Sequence, residues 1–165
     1  MGVSFEGFPR LIERDALRPG RWFVAAEGAR PLICFSTDEG ADRGDRLIIT
    51  FGSTRPESLD VAPVLLKDLP GPLGSLEHDL VFTPGLGGPG VQLVAPARRA
   101  FRAGALLRLT NGDLGLGFAA PGGALSFVSL VSGLRADTFE FVFDRWSLSL
   151  RRGANELLVG RFKPV

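Results

Sequence analysis

The chain has 165 residues, 45% hydrophobic and 22% charged, and its 19 Lys and Arg against 18 Asp and Glu leave a net charge of +1. This composition argues against disorder, the near-neutral balance gives no whole-molecule attraction for nucleic acid or anionic lipid, and no apolar run reaches the ~18 residues of a spanning helix. One His, one Cys and no Tyr leave few catalytic side chains, whereas 22 Gly and 12 Pro cut the chain into short apolar segments.

In chain order, Pro9–Leu17 places Leu11, Ile12 and Ala16 on one side of a short N-terminal helix that Pro19-Gly20 ends. The charges Glu6, Arg10, Glu13, Arg14 and Asp15 leave no room there for the apolar core of a secretory signal, so a cytoplasmic location is expected. Strands are expected at Arg21–Ala26, Pro31–Ser36 and Arg46–Phe51. Cys34, set in Leu32-Ile33-Cys34-Phe35, has no intrachain disulfide partner and reads as a packed thiol.

Between the second and third strands, Asp38, Glu39, Asp42 and Asp45 supply four carboxylates in eight positions. Hard cations need several such oxygens converging, which makes these four the metal-ligating candidates. Their spacing does not match a calcium-binding helix-loop-helix, and a solvated hairpin loop is the expected reading.

Further strands are expected at Val61–Lys67, Asp79–Thr83 and Val91–Ala95. Before the second of these, Glu77, His78 and Asp79 are the candidate catalytic residues, carboxylates flanking the single His. On an extended chain the neighbours of His78 point to the opposite face, so this spacing alone makes no dyad. The glycines of Gly85-Leu86-Gly87-Gly88-Pro89-Gly90 precede a strand rather than a helix, which fits a β connection and not a phosphate cradle.

The second half contains Asn111-Gly112, a pair suited to the two positive φ values of a type I′ turn, between strands at Ala105–Thr110 and Asp113–Ala119. Ala124–Val131, Asp137–Phe143, Trp146–Arg151 and Glu156–Phe162 bring the total to about a dozen strands. Alternation puts Trp146, Leu148 and Leu150 on one face and Phe139, Phe141 and Phe143 on another, and these two strands are expected to pair and share one interior. Ala16-Leu17-Arg18-Pro19-Gly20 resembles Ala100-Phe101-Arg102-Ala103-Gly104 at a shift of 84 residues, so 16–95 and 100–162 are candidate halves of an internal duplication.

The expected fold is one all-β domain spanning 1–165, a sandwich or partly closed barrel. The expected function is non-enzymatic: a binding, assembly or scaffold module whose partner is a protein or a second copy of the chain, with no cofactor and no membrane partner. The alternatives are a carboxylate-dependent hydrolase, drawing on Glu77, Asp79, Asp38, Asp42 and Asp45, and an Arg-mediated nucleic-acid module.

Overall fold

The computed structural model describes residues 10–27, 30–41, 44–53, 55, 57–85, 91–93 and 101–163. Among them the chain forms fourteen strands, all in antiparallel sheets. The first half supplies β1 (Leu11–Ile12), β2 (Trp22–Glu27), β3 (Arg30–Ser36), β4 (Leu47–Gly52), β5 (Asp60–Leu65), β6 (Leu73–Ser75) and β7 (Asp79–Pro84). The rest are β8 (Val91–Leu93), β9 (Leu106–Leu109), β10 (Leu114–Ala119), β11 (Leu125–Ser129), β12 (Phe139–Phe143), β13 (Trp146–Arg152) and β14 (Asn155–Phe162). They form a six-stranded sheet ordered β1-β6-β2-β3-β4-β5, a five-stranded sheet ordered β11-β10-β9-β12-β8, and a three-stranded sheet ordered β14-β13-β7. None of the three closes into a barrel.

Alternation explains the burial. In β3 and β4, Ile33, Phe35, Leu47, Ile49 and Phe51 enter the main core, while the intervening Cys34 and Ile48 enter a second cluster with Phe23, Leu69 and Leu73. Strands covered on both faces need continuous apolar runs, which is what Leu47-Ile48-Ile49 provides. The main core also receives Leu106, Leu116, Phe118 and Val128 from the five-stranded sheet and Trp146, Leu148 and Leu150 from β13. All three sheets therefore meet in one interior.

The expected N-terminal helix is not seen; β1 and a single 3-10 turn, Arg14–Ala16, lie within that stretch. An isolated helix this short is marginal, and tertiary contacts decide the outcome. Ile12 pairs with Leu73 and is buried, Leu11 is exposed, and the Arg14 guanidinium donates to the carbonyls of Leu66 (2.7 Å), Leu69 (2.8 Å) and Gly71 (3.0 Å).

The pairing of the Phe139 and Trp146 strands is also corrected, because β12 lies between β9 and β8 while β13 lies between β14 and β7. Nor do the three phenylalanines share one interior. A bulge sets Phe139 opposite Leu109 and Phe141 opposite Arg108, so an extra residue, Glu140, reverses the alternation. Phe139 and Val142 consequently enter a third cluster with Leu107 and Leu109, and Phe143 packs on the main core.

The Asn111-Gly112 hairpin forms with a different turn. Gly112 has φ +90° and Asn111 is not in the left-handed region. The Gly112 N–H donates to Leu109 O (2.9 Å) and the Leu109 N–H to Asp113 O (2.9 Å), a three-residue loop closed by a glycine bulge.

The two candidate halves share local features. Gly20 and Gly104 both have positive φ; Gly20 N–H donates to Ser36 O and Ser36 N–H to Arg21 O, as Gly104 N–H donates to Gly117 O and Gly117 N–H to Ala105 O. In each half a later strand, β6 or β12, returns beside the first hairpin strand, and the strands that follow, β7 and β13, pair with each other.

Candidate functional site: a cleft along the edge of β7

Every sheet edge exposes backbone donors and acceptors that must be paired, covered or spoiled. Edge strand β5 carries Pro63, which has no N–H to offer. The outer side of β11 is met by Leu134 O, which accepts from Ser129 N–H (2.9 Å), and by Ala136 N–H, which donates to Phe127 O (3.1 Å). The C-terminal end of β14 bonds to Glu57 and Leu59, and a register shift interrupts its pairing with β13 between Leu148 and Ser149.

Edge strand β7 is one of the remaining three edges, with the short strands β1 and β8. Its one partner is β13, in continuous register from Asp79↔Arg151 to Pro84↔Trp146. The Gly85 N–H donates to Arg145 O (2.8 Å), which sets the phase of the ladder. Thr83, Val81 and Asp79 turn their backbone groups toward β13, and Leu80 and Phe82 turn theirs away. Pro84 falls in the outward phase, where it costs the β13 ladder nothing but, like Pro63 in β5, offers no N–H, so the outward donors of this edge are those of Leu80 and Phe82. Among the described residues no strand occupies that outer side.

A cleft of about 550 Å³ runs beside this edge. Its apolar surface comes from Trp22, Leu76, Leu80, Phe82 and Leu114, each partly buried and packed on the main core, with Leu130 beneath and the 64%-exposed Val131 at the rim. Trp22 anchors the base through rings at 4.5 Å (Phe35), 5.3 Å (Phe51) and 5.7 Å (Phe82). Its polar lining is His78, Asp79 and Asp113.

Two of the three sequence-derived catalytic candidates, His78 and Asp79, thus share the cleft, while exposed Glu77 does not line it. Asp113 was missed by sequence reasoning. Its signal is the turn itself: Asn111 Oδ1 accepts from the Asp113 N–H (3.0 Å), and Asp113 Oδ2 accepts from Asn111 Nδ2 (3.1 Å) and Ser129 Oγ (3.0 Å). Those bonds hold the carboxylate as part of the hairpin. That the hairpin leans over β7 is a tertiary fact no local pattern carries.

The described carboxylates of the acidic loop are Asp38, Glu39 and Asp45. Asp42 lies outside the described residues, and Asp45 pairs with Lys67 at 3.0 Å, a contact that raises the lysine pKa through the hydrogen bond and the opposite charge. Hydrogen bonds to backbone carbonyls shape the rest: Asp38 N–H donates to Gly133 O (3.0 Å), Leu47 N–H to Glu39 O (2.8 Å), and the Thr37 hydroxyl to Leu47 O (2.7 Å). Among the described residues no group of three His, Cys, Asp or Glu could hold a metal ion. Cys34 is fully buried, as its apolar setting implies.

Compared with known proteins, the chain matches no family model and gives no significant match among curated proteins or solved structures. The local geometry therefore carries the functional argument.

A second groove, of about 710 Å³, is lined by Arg55, Arg102, Arg161 and Lys163 together with Glu57 and Asp60. Arg161 is bound to Glu57 at 2.7 Å, so part of that basic charge is already answered. No helix among the described residues is long and apolar enough to cross a membrane.

Proposed function

We propose that the protein is a non-enzymatic binding module that accepts an extended segment of a protein partner along β7. The observation that carries this reading is the outward-facing backbone of Leu80 and Phe82, whose side chains also line the apolar cleft. Main-chain hydrogen bonds to a free strand edge supply affinity, and pockets for alternate side chains supply selectivity. The finer architecture within this reading is a sandwich, supported by the convergence of all three sheets on the main core, and the setting is the cytoplasm. A second copy of the chain is one source of the added strand, which gives self-association the same physical basis.

Calorimetric titration with an end-capped, seven-residue extended peptide of alternating Val and polar residues tests the reading. Binding is expected, and N-methylation of two alternate amides, which removes ladder donors, should weaken it at least about tenfold, since each lost hydrogen bond is worth ~1 kcal/mol. No binding, or equal binding of the methylated peptide, overturns it.

The meeting of His78, Asp79 and Asp113 in one cleft supports a second reading, a carboxylate-dependent hydrolase. Turnover of a chromogenic ester or glycoside that is lost in Asp79→Asn would favour it over the first. The hydrogen bonds already fixing Asp113 in the turn weigh toward binding.

A further inference from the structure

Resting on the strand-addition reading, the geometry points to the chemistry of the incoming segment: an extended peptide with a basic side chain between apolar ones. Addition to β7 places alternate side chains of the new strand beside Leu80 and Phe82, on the face where Leu114 and Val131 complete the apolar surface. Those positions take aliphatic groups. The intervening side chain projects to the opposite face, the face of Asp79, and cross-strand neighbours of opposite charge stabilise a pair.

The charge of the cleft selects that side chain. Its lining holds two carboxylates, Asp79 and Asp113, and no Lys or Arg. Arg151 stands opposite Asp79 in the register of β13, yet among the described residues no side-chain hydrogen bond or ion pair engages the Asp79 carboxylate. Asp113 has its Oδ2 engaged by neutral donors, which hold the carboxylate in place without cancelling its charge. With a net charge of only +1, the chain has no strong global field to oppose a cationic ligand, and the local pair of carboxylates decides the preference.

The test compares two capped peptides, Thr-Val-Lys-Val-Lys-Val-Thr and the same sequence with Glu for Lys, titrated calorimetrically into the full chain at about 50 mM and about 500 mM salt. The Lys peptide should bind up to about fivefold tighter at low salt, with the gap shrinking at high salt, because that is what an exposed ion pair contributes. Asp79→Asn and Asp113→Asn should each reduce affinity for the Lys peptide by up to about fivefold and leave the Glu peptide no weaker. Asp79 is exposed and outside the turn, so its variant remains informative if Asp113→Asn disturbs the hairpin. Equal affinities for the two peptides overturn this inference and leave strand addition standing. If neither peptide binds, or an N-methylated Lys peptide binds as tightly as its parent, strand addition fails and the inference with it.

Discussion

Gly104 sits at φ +86°, and a Cβ placed there would run into the ring of Phe162, which itself stacks on Trp146 at 5.5 Å between centroids. The Gly104 carbonyl also accepts the buried Trp146 Nε1–H at 2.9 Å, so this glycine fixes both a turn and the seating of β13. Gly112 has a similar φ of +90° but nothing within 4 Å of its would-be Cβ. The pair separates backbone strain from steric exclusion. Gly112→Ala should lose about 1 kcal/mol in urea unfolding from the left-handed conformation alone. Gly104→Ala should lose roughly 2–4 kcal/mol because overpacking adds to that strain. Equal losses would mean that the Phe162 contact yields freely.

The bulge in β12 has a comparable test one level up. Deleting Glu140 removes the residue that reverses alternation, so either Phe139 leaves its cluster with Leu107 and Leu109 or the end of the strand detaches. The cost should be roughly 2–3 kcal/mol, the worth of one buried Phe, seen as a lower urea midpoint; unchanged stability would contradict the role given to the bulge. This strand also shows where sequence reading stops. Period two identified β2, β3, β4, β10 and β13 because their apolar residues alternate or run continuously between two covers. It missed the reversal at Glu140, which leaves no mark in the pattern Phe139-Glu140-Phe141-Val142-Phe143. It also missed β1 and β6, which have two and three residues and owe their extended form to each other and to β2. Asn111-Gly112 located the hairpin, but Asp113 then selected a three-residue loop by joining its side chain to Asn111. At the cleft, His78 and Asp79 were legible as polar residues beside a strand; the open edge beside them depends on sheet order, which local sequence does not encode.

The main core draws on residues from 33 to 59 and from 106 to 150, so both candidate halves contribute to it, while each also holds a smaller cluster of its own. We propose that 1–165 is one cooperative unit built from two similar parts, supported by the matching turns at Gly20 and Gly104 and by the β7–β13 pair that joins them. Fragments 1–95 and 96–165 should each lack a cooperative melt and regain one when mixed; a cooperative melt of either fragment alone would refute the single unit. The molecule then presents β7 as an edge whose Leu80 and Phe82 pack on a core common to both parts, and strand addition needs that edge unpaired in the free protein. Residue-resolved amide exchange by NMR, without and with the Lys peptide, measures this most directly. The account predicts fast exchange at Leu80 and Phe82 beside protected Val81 and Thr83, with Leu80 and Phe82 becoming protected when the peptide is added. Leu80 and Phe82 amides as protected as that of Val81 in the free protein would contradict it.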